Sequence, residues 1–322
     1  MDWFEKITGF KESNYQETKG KLIFEHNTLY STVNQQHFDL GKFELAQLQD
    51  LRLRVAKEGA TNVSNNGENS PSVRTIRADA YRLHCSPETN GAVVQVASQF
   101  NLLEMASPSI NPEDGVTRYQ HDHTQGPACA MAAGPATLFR NYGIWVNSQQ
   151  GQTSAQQINT LSDLIEVLDI QSIEMRNGYA MIGTDGLNDL ARKMKGITEI
   201  RREELKGLLK VGVHWSTAVT ATGAPEDQKV TQVFCSALPI AYNTDRALNL
   251  WEPLARLILE ACYEATILIG VLNAQITGNP KVYLTRVGGG VFGNAGEWID
   301  EAIEKALDKA SGWPLEVINV SR

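Results

Sequence analysis

Two stretches of this chain concentrate side chains that could do chemistry. The first, between Ser98 and Ala128, carries Asn101, Glu104, Glu113, Asp114, Asp122, Gln125 and Gly126. Carboxylates beside a reacting carbon can activate water, stabilise positive charge or protonate a leaving group. Asp122 is the first candidate for that work and Asp114 the second, with Glu113 and Glu104 behind them. Asp114 and Asp122 lie 8 positions apart in irregular chain, so their spatial separation is not readable. Long strand-to-helix connections between apolar flanks are commonly functional. The plain alternative is a solvated acidic surface loop, with Glu104 and Glu113 capping turns or facing water.

The second stretch is Val287-Gly288-Gly289-Gly290-Val291-Phe292-Gly293-Asn294. Consecutive glycines let backbone amides approach an anion without side-chain obstruction. The helix that follows could add its positive N-terminal end. No Lys-Ser/Thr pair follows, so this is not a Walker loop, and the spacing is not GxGxxG. A tight turn with no room for side chains is the alternative. His121 and His123 could share one face of a strand, but no HExxH or comparable spacing supports a metal site. The expectation is that neither a metal nor a cofactor is required, and that His84 and His214 are structural.

These loops need strands and helices to hold them. Short apolar runs at 92–97, 211–215, 230–235, 281–285 and 315–320 read as buried strands. Trp251 to Ile269 reads as a long, largely buried helix, and Glu297 to Lys309 as an amphipathic one. Alternating strands and helices imply an α/β fold with a mixed or mostly parallel sheet covered on both faces. Residues 1–85 differ: β-like segments at 21–24 and 29–33, helical spacing from Phe43 to Arg52, and a polar loop from Asn62 to Pro71. They are read as an α+β extension, with the main domain at 86–322. Gln149 to Gln157 reads as an exposed loop, and Asn177-Gly178 as a turn leading into a strand.

The chain has 322 residues, 42% hydrophobic and 20% charged, with net charge −8. That composition excludes long disorder, collagen and coiled coil. An acidic chain is a poor general nucleic-acid binder. Cys85, Cys129, Cys235 and Cys262 form no CxxC motif, as expected of buried thiols in a reducing compartment. No signal-peptide pattern opens the chain, and the apolar stretch near Ala265 to Leu272 is short for a bilayer. The expectation is a cytoplasmic protein with neither nucleic acid nor membrane as partner.

The order of parts resembles a macrodomain, the ADP-ribose-binding α/β module. Phe100-Asn101 stands where that family has an Asn-containing loop against the ribose next to the scissile bond. Gly290-Val291-Phe292-Gly293-Asn294 stands where it has the diphosphate-holding loop, and Gln232 to Pro239 resembles its middle strand and following proline. The resemblance covers roughly residues 90–322 and implies a three-layer α/β/α fold with a mixed central sheet. The first loop lacks the usual run of glycines and has Asp122-His123-Thr124-Gln125-Gly126-Pro127 instead. That departure resembles the divergent MavL-like branch of ADP-ribosylhydrolases.

The resemblance implies a ligand, ADP-ribose or an ADP-ribosylated protein, and a reaction, hydrolysis of the bond joining ADP-ribose to a side chain, with arginine favoured. Asn101 and Asn294 would meet ribose hydroxyls. Phe292 would lie against the ribose or plug the core, and Gln125 would orient water or cap a helix starting near Pro127. A non-catalytic ADP-ribose reader, a hydrolase or transferase acting on a free NAD-derived metabolite, and a scaffold with a decayed site are the alternatives.

Overall fold

The computed structural model describes residues 1–61 and 70–321; residues 62–69 of the expected polar loop lie outside the described residues. The chain opens with α1 (Trp3–Thr8), α2 (Tyr15–Lys19) and a small antiparallel sheet of β1 (Leu22–Glu25), β2 (Thr28–Ser31) and β3 (His37–Asp39). His26 and Asn27 turn β1 into β2 with φ of 50° and 60°, the left-handed pair that a tight hairpin demands. There follow β4 (Lys42–Gln47), α3 (Leu48–Thr61), β5 (Ser72–Arg77), α4 (Ala80–His84), β6 (Val93–Ala97), α5 (Gln125–Ala132) and α6 (Gly134–Leu138). The middle holds β7 (Trp145–Val146), β8 (Gln149–Gln150), α7 (Ser162–Val167), β9 (Ile173–Arg176), β10 (Tyr179–Ile182), α8 (Thr184–Met194) and α9 (Glu199–Gly207). The last third is β11 (Lys210–Ala218), β12 (Lys229–Cys235), α10 (Leu248–Thr277), β13 (Lys281–Leu284), α11 (Gly296–Asp308) and β14 (Glu316–Ser321).

The central sheet has seven strands in the order β4-β11-β12-β6-β13-β14-β5. From β12 to β5 the strands are parallel, and β11 runs antiparallel to both β12 and β4. Successive residues face opposite layers, as a pleat requires. Val93, Val233, Cys235, Val282 and Val317 face α10 and α11, while Val94, Val96, Phe234, Tyr283 and Ile318 face α4 and α5. The architecture is thus α/β with helices on both faces of a mixed sheet. α10 is long and apolar enough to cross a membrane, but 94% of its most apolar window is buried inside this protein, where it is the core helix. At Leu248–Thr277 the helix is longer than the apolar run near Ala265 to Leu272, which alone is too short to span a bilayer.

Three expectations change. Phe43 to Gln47 is not helical: it is an edge strand whose register runs from Lys42↔Trp215 to Gln47↔Lys210, and the helix starts at Leu48. Both edge strands of the sheet, β4 and β5, come from before residue 85, so the sheet draws on both sides of that expected boundary. The small three-stranded sheet that precedes β4 ends at Asp39. Finally, Gln152 in the expected exposed loop is fully buried and donates from Nε2 to the carbonyls of Asn101 (2.9 Å) and Arg140 (3.0 Å).

Candidate functional site

The sheet splits at its centre. β6 and β13 pair only at Val93↔Val282 and Val94↔Tyr283, whereas β6 and β12 stay paired out to Ala97↔Cys235. Past Val94 the backbone groups that face the gap are met by side chains. Gln95 Oε1 accepts from Thr285 N at 3.1 Å; Gln125 Oε1 accepts from Ala97 N at 2.8 Å, and its Nε2 donates to the Gln95 carbonyl at 2.9 Å. A crevice at the carboxyl ends of parallel strands is where open α/β sheets bind ligands. This one holds a cavity of about 340 Å³.

Both sequence-selected loops reach it. Thr124, Gln125, Gly126 and Pro127, at the start of α5, line one wall. Gly126 is needed for close approach: a Cβ there would sit 2.1 Å from the Ala97 carbonyl. The first N–H groups of a helix have no intrahelical acceptor, so this wall presents donors. Gly288, Gly289, Gly290, Val291 and Phe292 line the opposite wall. Among the described residues the N–H groups of Gly288, Gly290, Val291 and Phe292 have no acceptor within the protein. The loop is tied by Gly293 N, which donates to the carbonyls of Gly289 and Gly290, and by Asn294. Free backbone amides grouped in this way can receive an anion.

Two asparagines hold loops and do not line the cavity. Asn294 is buried, and its Nδ2 donates to the carbonyls of Leu238 (2.9 Å) and Gly288 (3.0 Å). Asn101 is buried as well; its Oδ1 accepts from Leu103 N and its Nδ2 donates to Gln157. Gly293 supplies a φ of +78° that the turn needs and also stays off the cavity wall.

The four acids separate. Asp122 lines the cavity and is half-buried. Its Oδ1 accepts from Thr124 N (2.9 Å) and Thr124 Oγ1 (2.6 Å), and Oδ2 has no partner among the described residues. Glu104 also lines the cavity but is buried against Arg140 Nη2 at 3.0 Å, both side chains being 0% exposed. Burial pushes its carboxyl up to about 7 although Arg140 pulls it down. Asp114 and Glu113 are exposed and away from the cavity. Asp114 Oδ2 closes a capping box on Asn111 N (2.9 Å), and Glu113 Oε2 accepts from Ser154 N and Oγ, which hold its carboxyl below the usual range.

Several cavity residues had no signal in the sequence reading. Tyr179 and Tyr242 are among them and join Phe292, which the sequence did offer, in an aromatic wall with ring centroids 5.0 Å (Tyr179–Tyr242), 5.5 Å (Tyr179–Phe292) and 5.6 Å (Tyr242–Phe292) apart. Burial raises both phenol pKa values, and the charge of Asp122 raises them further. Gln99 and Arg286 complete the lining; Arg286 is held by Asp300 and by the Gly296 carbonyl at 3.0 Å. A second cavity of about 280 Å³ shares Ala97, Thr124, Gln125 and Arg286 with the first and adds Asp79, Ala80, Ala128 and Val320. His123 lines it and His121 is exposed. Among the described residues no three His, Cys, Asp or Glu side chains gather as a metal site.

No known family profile matches this chain, and no curated protein matches it. Solved structures do. One is the poly(ADP-ribose) glycohydrolase of Thermomonospora curvata bound to the inhibitor ADP-HPD: 13% identity, 92% of this chain and 88% of that chain covered, TM-score 0.44. Another is the poly(ADP-ribose) glycohydrolase of Deinococcus radiodurans in complex with ADP-ribose: 12% identity, 87% of each chain, TM-score 0.41. Overlap this loose transfers neither residues nor activity, so function is read from the site itself.

Proposed function

We propose that this protein binds the ADP-ribose group of a modified protein and hydrolyses the glycosidic bond that attaches it. The observation that carries the reading is one cavity with free amides on one wall and, on the other, a carboxylate with one oxygen unused. The amides of Gly288, Gly290, Val291 and Phe292 suit a diphosphate, which needs many donors and little side chain. The adjoining cavity, lined largely by Ala78, Ala80, Ala97, Ala128 and Val320, suits the adenosine end. The two chambers then take the two ends of one ligand.

Cleavage at the distal ribose passes through an oxocarbenium-like state. Asp122 Oδ2 would accept the proton of a water attacking the anomeric carbon and stabilise the positive charge there. The bond from that carbon to the side-chain atom breaks, the water oxygen takes its place, and the proton that Asp122 took from the water passes on to the departing atom, which leaves Asp122 ionised again. Asp122 would also attract a cationic leaving group, which favours an arginine linkage. Glu104 is neutralised by Arg140, so it is a poorer candidate for this work.

A reader that binds without cleaving is the second reading, favoured by Asp122 being the one uncommitted carboxylate among the described residues that line the cavity. Incubation with an ADP-ribosyl-arginine peptide, beside calorimetric titration with free ADP-ribose, separates the two. Release with binding is expected; binding without release from arginine or other linkages makes the protein a reader, and no binding overturns both.

A further inference from the structure

The N-terminal unit, whose role is not legible in the sequence, meets the site loop through a shared apolar core and, at its polar edge, through one carboxylate. Glu12 Oε1 accepts from Val116 N at 2.9 Å and from Tyr142 Oη at 2.5 Å, and Oε2 accepts from Thr117 N at 2.7 Å. Val116 and Thr117 open a five-residue 3₁₀ turn, Thr117–His121, and no side chain of the turn itself caps it. The residue that closes the turn is Asp122, whose N–H donates to the Tyr119 carbonyl at 3.1 Å. Glu12 therefore grips one end of a turn and Asp122 stands at the other. In the same turn, Tyr119 Oη accepts from the backbone N–H of Glu104, a cavity residue, at 3.0 Å.

The surroundings are built for this grip. Phe4, Ile7, Tyr15, Leu22, Leu29 and Leu40 form one core with Val116, Tyr119, Leu103, Met105 and Tyr142. Gly115 leaves room for the carboxylate: a Cβ there would lie 2.5 Å from Glu12 Oε2, and its φ is +81°. A carboxylate accepting backbone N–H groups makes charge-assisted bonds, roughly twice as strong as neutral ones.

We propose that Glu12 is a positioning residue for Asp122: the N-terminal unit is a clamp in cis that fixes the turn presenting the catalytic carboxylate. The effect on turnover rests on the hydrolase reading, whereas the clamp itself does not. Glu12→Gln replaces one acceptor oxygen by a donor that opposes a backbone N–H.

Amide hydrogen exchange on the full chain tests the clamp without any assay of activity. Glu12→Gln should quicken exchange from 116 to 122 by at least ~10-fold, the loss of one charged hydrogen bond, while β6 and α10 keep their protection. Tyr142→Phe, which leaves both N–H bonds to Glu12 in place, should leave exchange at 116 and 117 unchanged. If Glu12→Gln does not fold, Gly115→Ala disturbs the same contact from the other side and should give the same local signature. For turnover, kcat should fall about 10-fold with KM within about 2-fold, since misplacement of a reacting group acts on the transition state. Unchanged exchange at 116–122, loosening spread evenly over the molecule, or unchanged kcat with faster local exchange would overturn the proposal. A wild-type protein that releases no ADP-ribose defeats the hydrolase reading, and exchange then decides the clamp alone.

Discussion

Thr124 binds Asp122 through one oxygen only. Both its backbone N–H (2.9 Å) and its hydroxyl (2.6 Å) reach Oδ1, while Oδ2 has no partner among the described residues and Asp122 lines the cavity. Thr124→Val keeps the shape and removes the hydroxyl donor. Turnover should fall about 10-fold as Asp122 loses its orientation, while ADP-ribose affinity, held mainly by the glycine loop, changes little. Steady-state kinetics beside calorimetry check this; equal losses in both would mean that Thr124 touches the ligand.

The glycine loop offers a cleaner test than its central residue. A Cβ at Gly289 would press on Ile299 Cδ1 and the Arg286 carbonyl at 3.3 Å, so substitution there mixes packing with binding. A Cβ at Gly290 meets nothing within 4 Å. Gly290→Val should therefore fold like the wild type and weaken ADP-ribose binding by at least ~10-fold, the worth of one charged hydrogen bond lost as the side chain fills the approach. Wild-type affinity in the folded variant would remove the diphosphate from this loop.

Glu104, which lines the cavity, forms a buried pair with Arg140. Arg140 also donates from Nε to the Leu102 carbonyl at 2.8 Å and stacks 3.8 Å from the Phe234 ring centroid. Breaking such a pair by removing one charge costs about 3–5 kcal/mol. Glu104→Gln should lose stability on that scale in denaturant unfolding. A loss below about 1 kcal/mol would show that the pair is solvated and open to catalysis.

Two buried histidines, His84 and His214, add to the acid limb of stability. Burial lowers His84 to about 4, and burial with the nearby Arg140 charge lowers His214 to about 3. Each is held neutral, with Nδ1 donating to a carbonyl: Ala80 at 2.7 Å for His84, Leu40 at 2.9 Å for His214. Both folded values lie below the unfolded value near 6.5. The unfolded chain binds protons first, so stability falls as pH drops from 6.5 towards 3–4, by up to ~1.4 kcal/mol per pH unit per histidine. Glu104 has the opposite sign: its raised value adds stability at low pH that is lost between 4.5 and about 7. His214→Gln should flatten the acid limb, measured as denaturant midpoint against pH; an unchanged slope would assign the limb to carboxylates.

The strands around the site were legible because parallel strands buried on both faces read as continuous apolar runs, as at Val93 to Ala97. β4 was misread because Phe43, Leu45, Leu48 and Leu51 also fit a helical stripe, and an edge strand carries little other signal. The macrodomain resemblance puts Asn101 and Asn294 on ribose, and an amide that caps backbone looks the same in sequence as one that meets sugar. The turn at Asn111 to Asp114 did carry a readable sign, an asparagine followed three residues later by an acid. Tyr179 and Tyr242 reach the cavity from β10 and from a short 3₁₀ turn far along the chain. No local pattern announces such convergence.

The most direct test of the account compares ADP-ribose release from a modified arginine peptide by wild type, Asp122→Asn and Asp114→Asn, with ADP-ribose binding measured in parallel. Asp122→Asn should slow release by at least ~10²-fold, the usual scale for a general acid or base, and bind ADP-ribose as tightly as wild type or more so, because an anionic neighbour is gone. Asp114→Asn, which touches only its own turn, should stay within about 2-fold of wild type, as surface changes usually do. Release by Asp122→Asn at the wild-type rate would contradict the catalytic assignment.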